Sequence, residues 1–155
     1  MTFQSGWIVL LVFLLGACAS VSNPDARFPD LSVSEGEELD SLWEGFNRFP
    51  PRYPEFAAKS AEMGCATVEY VILPGNKVTD IFVTTSTSSQ FSRSARRVIA
   101  RWPWQSLDST LVKEPIKTRT RFDFCLEGGE VSCVDVLKDL ECEGEDTIVA
   151  KGIAL

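Results

Sequence analysis

The sequence predicts a small α+β domain: a three-stranded antiparallel sheet with two helices on one face, in the order helix, strand, strand, helix, strand. Three observations carry this. Apolar residues alternate with period two over residues 65–72 and again over 117–126. They recur with helical period between Phe91 and Trp102. Between strand-like runs stands Pro74-Gly75-Asn76, whose residue types suit a tight turn. With 155 residues, ten Phe and four Trp, the chain has material for one core and room for one domain.

The ordered module starts near Phe49, where Pro50-Pro51-Arg52-Tyr53-Pro54 stiffens the chain. A helix is expected from Pro54 to Met63, because proline suits the first helical position, where its missing N–H would be unpaired anyway. Glu55 and Lys59 make an i, i+4 pair, and Gly64 is placed to close the helix. Next comes a strand in which Ala66, Val68, Tyr70 and Ile72 face inward and Cys65, Thr67, Glu69 and Val71 outward. The turn at Pro74-Gly75-Asn76 leads to a second strand over 78–86, with Ile81, Val83 and Thr85 expected inside.

A Ser/Thr run at 84–89 supplies the cap of the second helix, whose apolar residues Phe91, Ala95, Val98, Ile99 and Trp102 share one face. Pro103 ends it. The third strand, Lys117 to Leu126, sets Phe122, Phe124 and Leu126 against Arg119, Arg121, Asp123 and Cys125. If the helix crosses over between parallel strands two and three, strand one lies between them and strand three keeps a free outer edge. Lys117, Arg119, Arg121 and Asp123 lie on that edge, which would take an extended acidic or neutral segment. The acidic stretch from Glu127 onward is an internal competitor for it.

Charge is segregated along the chain. The net charge is −7, yet residues 48–126 hold twelve bases and seven acids, whereas 18–47 hold seven acids and one Arg. Residues 127–155 hold eight acids and two Lys. The organisation expected is a signal peptide over 1–17, an acidic tether over 18–47, the folded domain over 48–126 and an acidic, cysteine-containing extension over 127–155. Within the tether, Leu39, Leu42, Trp43 and Phe46 have helical spacing and suit a short docked helix.

From Trp7 to Ala17 every residue is apolar or Gly. This run is too short for the roughly 20 residues that span a bilayer, and has the length of a signal-peptide core. It ends in Leu15-Gly16-Ala17-Cys18, which resembles the lipobox of bacterial lipoproteins. The resemblance implies that Cys18 carries lipid and becomes the new N-terminus. Ala19, in place of an aspartate, then points to the outer membrane rather than the inner.

The order of several strings over roughly residues 50–126 resembles the TonB C-terminal domain family. They are Pro51-Arg52-Tyr53-Pro54-Glu55-Phe56-Ala57, Gly64-Cys65-Ala66-Thr67-Val68-Glu69-Tyr70, Pro74-Gly75-Asn76-Lys77-Val78 and the stretch from Ala95 to Trp104. The resemblance implies a non-enzymatic module in the periplasm that binds a peptide segment of an outer-membrane transporter, or another envelope protein, by strand addition. The alternative is a structural envelope lipoprotein that keeps the fold without binding a transporter. The family's energy transducers carry a long spacer, whereas a tether of about 30 residues reaches at most ~100 Å.

With Cys18 set aside, Cys65, Cys125, Cys133 and Cys142 form an even set in a compartment that permits disulfides. Three pairings exist. Alternation puts Cys65 and Cys125 on one face near adjoining strand ends, so Cys65 with Cys125 and Cys133 with Cys142 is the pairing expected. Zinc does not suit their spacing, and no C-x-x-C suggests a catalytic thiol.

The chain has no histidine, which removes imidazole acid/base chemistry and the commonest metal ligand. No nucleophile elbow, phosphate loop, dinucleotide fingerprint or metal helix is present. Neither an enzyme, nor a cofactor, nor a metal site is expected. Arg93, Arg96, Arg97 and Arg101 line the polar side of the second helix and offer charge to phosphates; the plainer reading is a solvated helix face. The envelope address argues against nucleic acid. Trp102 and Trp104, flanking Pro103, are read as core.

Overall fold

The hairpin forms where the alternation puts it. The structure is a computed structural model that describes residues 23–128, 133–138 and 140–154. Strands β2 (Gly64–Leu73) and β3 (Lys77–Ser86) run antiparallel, and the main-chain N–H of Asn76 donates to the Leu73 carbonyl across the turn. Gly75 takes φ +79° there, a conformation cheap only for glycine. Helix α3 (Ser89–Ile99) buries Phe91, Ala95, Val98 and Ile99. It leads to β4 (Ile116–Glu127), which pairs antiparallel with the other side of β2 from Gly64 opposite Phe124 to Ile72 opposite Ile116. Helix α2 (Glu55–Lys59) is shorter than expected, because the chain leaves helical geometry at Ser60 and turns at Ala61, φ +50°.

The core lies between the sheet and the helices. Ala66, Val68, Tyr70 and Ile72 from β2 meet Phe122 and Phe124 from β4 and the buried face of α3, with Trp102 and Trp104 inside as expected. Phe91 stacks on Phe124 with ring centroids 4.4 Å apart. Both indole N–H groups are satisfied: Trp102 donates to the Phe49 carbonyl and Trp104 to that of Ile99, each at 2.8 Å.

One residue of β3 expected to face inward, Thr85, faces outward. The strand carries two bulges, one at Asp80, which takes φ +52°, and one near Thr84. Each extra residue reverses the faces. Val78, Ile81 and Val83 all pack on the core, whereas Thr85 pairs with outward Thr67 and faces away.

The larger correction concerns strand number. The sheet has five strands, not three, because each flanking arm contributes one. β1 (Val33–Ser34) pairs parallel with Lys117 and Thr118 of β4, and β5 (Thr147–Ile153) pairs parallel with Arg121 to Glu127. An unpaired row of N–H and C=O groups on β4 is a template for any nearby extended segment. The acidic arms are the segments closest to hand, and their charge suits the basic edge.

From residue 33 onward, the expected tether is therefore part of the domain. A 3-10 turn (Gly36–Leu39) and helix α1 (Asp40–Trp43) bring Leu39, Leu42 and Phe46 into the core. The expected signal peptide and Cys18 lie outside the described residues. Beyond β4, helix α4 (Cys133–Lys138) and the segment that follows lead the chain over the outward face of the sheet before β5. Gly152 is needed there: a Cβ at this position would lie 2.6 Å from the Tyr53 ring.

Candidate functional site: the β4 edge and the arms that close it

The residues expected to offer a free edge are brought together by β4, but each is engaged by the chain itself. Lys117 Nζ lies 3.7 Å from a Glu69 carboxylate oxygen across the β2 pairing. Arg119 sits between the two arms, with Nε 3.0 Å from Glu35 and Nη1 3.0 Å from Glu143. The Glu35 contact is one of charge rather than an aligned hydrogen bond.

Arg121 clamps the returning C-terminal segment. Its Nε donates to Asp123 Oδ1 at 2.7 Å, its Nη1 to the Cys142 carbonyl at 2.7 Å and its Nη2 to the Leu137 carbonyl at 3.3 Å. Asp123 is 5% exposed, so its charge depends on that partner. The Arg121 main chain donates to the Asp146 carbonyl at 2.8 Å, the bond that starts the β4 to β5 ladder. By alternation, Asp123, Cys125 and Glu127 also turn their backbone groups toward β5.

The disulfides differ from the expected pairing. Cys65 is bonded to Cys142, and Cys125 to Cys133, with Cα separations of 6.1 and 5.6 Å. Cys65 stands opposite Asp123, so Cys125 lies two residues beyond it along the strand. The two cysteines do share the outward face, yet the C-terminal arm crosses that face and supplies a nearer partner for each. Thr67 is held in the same way, its hydroxyl donating to the Glu143 carbonyl.

A polar chain, half-buried at Arg48 and Asp146 and buried at Thr120 and Tyr70, joins both arms to the core. Arg48 pairs with Asp146 and stacks 4.3 Å from the Trp43 ring centroid. Asp146 accepts from the Thr120 hydroxyl at 2.8 Å, so the Tyr70 hydroxyl, 3.0 Å from Thr120, is the donor in that pair. Sequence reasoning missed Arg48, Asp146, Thr120 and Tyr70 as a unit. Arg48 and Asp146 are 98 residues apart, and no local pattern links them.

Chemically, the arrangement holds two strands of its own chain. Its groups are backbone donors and acceptors flanked by paired charges, and among the described residues no cluster of three or more His, Cys, Asp or Glu is arranged to hold a metal ion.

Two comparisons with known proteins return a match. Residues 50–126 match the family model described as Gram-negative bacterial TonB protein C-terminal. A solution NMR structure of the Pseudomonas aeruginosa TonB C-terminal domain is similar to the chain at 25% identity, covering 54% of this chain and 86% of that one with a TM-score of 0.46. No curated protein matches the chain.

Proposed function

Because residues 50–126 belong to the Gram-negative bacterial TonB protein C-terminal family, we propose that this chain is a lipid-anchored binding module on the periplasmic side of the bacterial envelope. It recognises an extended segment of an outer-membrane transporter, or of another envelope protein, by strand addition, in connection with transport across the envelope. Cys18 carries the lipid, and the outer membrane is the favoured site. The module works without catalysis or cofactor, as an interaction domain.

One observation carries the reading. The outer edge of β4 already takes two added strands in parallel, β1 and β5, so it has the geometry of a strand-accepting seat. Lys117, Arg119, Arg121 and Asp123 form that seat. A partner segment occupies it when an arm comes away, and the arms therefore set its affinity. The disulfide that fastens the C-terminal arm favours a second reading, a structural envelope lipoprotein whose edge is permanently filled.

The two readings part in one experiment. Synthetic N-terminal segments of outer-membrane transporters are titrated against the chain and against a form lacking residues 128–155, with Cys65→Ser and Cys125→Ser. Binding that strengthens by tenfold or more on truncation supports exchange at the β4 seat. No binding by either form leaves the structural reading. For the anchor, Cys18→Ser is expected to abolish fatty-acid labelling and to release the protein from membranes; unlabelled wild type would end that part of the proposal.

A further inference from the structure

On the side opposite β4 the sheet ends in β3, and there the molecule is basic. Arg93, Arg96 and Arg97 of α3 line a shallow groove with Thr79, Asp80 and Ile81 of β3. Arg101 follows one turn on, and all four arginines are exposed. Among the described residues none of the four has an ion-pair partner. The one acid in the groove is already engaged. Asp80 Oδ2 accepts the main-chain N–H of Arg27 at 2.7 Å and of Phe28 at 3.3 Å, and its Oδ1 accepts from Thr79.

Those bonds also fix where the N-terminal arm leaves the domain. Asn23 and Phe28 lie with Asp80 and Phe82 of β3 at one end of a hollow on the outward face of the sheet, which runs on past Glu69 and Val71 to Lys117 of β4. Cys18 precedes Asn23 by five residues, a span of at most ~18 Å. A lipid on Cys18 would let the β3 side of the domain lie against the bilayer, but that reach exceeds the two strand spacings, roughly 10 Å, between β3 and β4, so the tether alone does not choose the side. Charge chooses it. Anionic head groups attract exposed Arg within about a Debye length and repel the acidic segments, which gather along β4. Asp25 and Asp30 lie in the emerging arm, so the attraction must come from α3.

We propose that the arginine face of α3 docks on anionic phospholipid head groups of the membrane that holds the anchor, so that the strand-accepting side of the sheet points into the periplasm. The orientation rests on the lipid-anchor reading of Cys18; the affinity for anionic lipid does not.

The test uses the processed chain, residues 18–155, with Cys18→Ser, which keeps every described residue and carries no acyl group. It is sedimented with vesicles of phosphatidylcholine, with and without roughly a third phosphatidylglycerol, a fraction at which basic surfaces bind electrostatically. Salt-sensitive binding to the anionic vesicles alone is expected, and R93E/R96E should weaken it at least about tenfold while the circular dichroism stays unchanged. Lys113→Glu, an exposed charge reversal elsewhere, should weaken it far less. Equal binding to both vesicles, or equal loss from R93E/R96E and K113E, would overturn the proposal. So would absence of vesicle binding with Arg93-dependent binding of a polyglutamate peptide, which would assign the face to an acidic protein. Fatty-acid labelling of wild-type Cys18, read separately, distinguishes failure of the anchor from failure of the arginine face.

Discussion

Tyr70 is fully buried at the inner end of the chain that runs through Thr120 and Asp146 to Arg48, and burial pushes its phenol well above the usual range. Burial, helped by the Glu62 carboxylate, pushes Tyr53 up to about 12 from the ordinary 10.0. These are the only two tyrosines. Their folded pKa values lie above the unfolded one, so the folded state holds protons that the unfolded state has lost. Their contribution to stability is therefore fully present below pH 10, the unfolded value, and is lost as pH rises through the folded values. Tyrosinate absorbance of the folded chain is expected to stay near zero at pH 10 and to appear together with unfolding, and Tyr53→Phe should shift that loss to higher pH. Appreciable tyrosinate at pH 10 in a folded chain would contradict the packing. At Arg121 the expected effect is larger. Arg121→Gln leaves Asp123 buried without its cation and frees two carbonyls, a loss of about 3 kcal/mol in urea unfolding, of which Asp123→Asn in the same chain should restore a part.

Among the elements, β5 and its disulfides show how a short strand of modest propensity is held. Non-reducing peptide mapping should recover Cys65 with Cys142 and Cys125 with Cys133; a Cys65 to Cys125 peptide would refute the path of the C-terminal arm. The bonds close loops of very different length, with sequence separations of 77 and 8. In the chain-entropy model Cys65→Ser/Cys142→Ser costs about 4.5 kcal/mol and Cys125→Ser/Cys133→Ser about 2.5 kcal/mol. Denaturant unfolding of the two double variants should preserve that order. β3 behaves differently, because its bulges and positive-φ Asp80 spoil a regular outer ladder and discourage a strand from adding there. The α3 helix supplies the basic residues on that side instead.

For the whole molecule, both arms close the same edge from opposite ends of the chain. β1 covers Lys117 and Thr118, β5 covers Arg121 to Glu127, and Arg119 bridges the junction through Glu35 and Glu143. Loss of residues 128–155, with Cys65→Ser and Cys125→Ser, should raise amide exchange at Arg121, Asp123 and the residue at 125, whose N–H groups face β5, by at least about tenfold. Exchange along β2 should change less, since its ladders to β3 and β4 remain. An opened edge is also a template for a second copy, so concentration-dependent sedimentation is expected for the truncated chain. Unchanged exchange across β4 would mean that β5 does not protect the edge.

The α+β class, the hairpin, α3 and the third strand of the central unit were legible from the sequence, because each is a local periodicity ended by a local signal: Gly75 in the turn, Pro103 after the helix, alternation from Phe122 to Leu126. The family resemblance was legible for the same reason, its strings being short and ordered. What the arms do was decided by tertiary structure. A strand of two residues has no period to read, and β5 is extended because β4 presents unpaired groups to it, a fact about an edge whose residues stand 26 positions earlier, Arg121 opposite Thr147. Likewise an even set of cysteines specifies bonding without specifying partners. Cys65 meets Cys142 only because the C-terminal arm crosses the outward face, held there by Arg121 and Thr67.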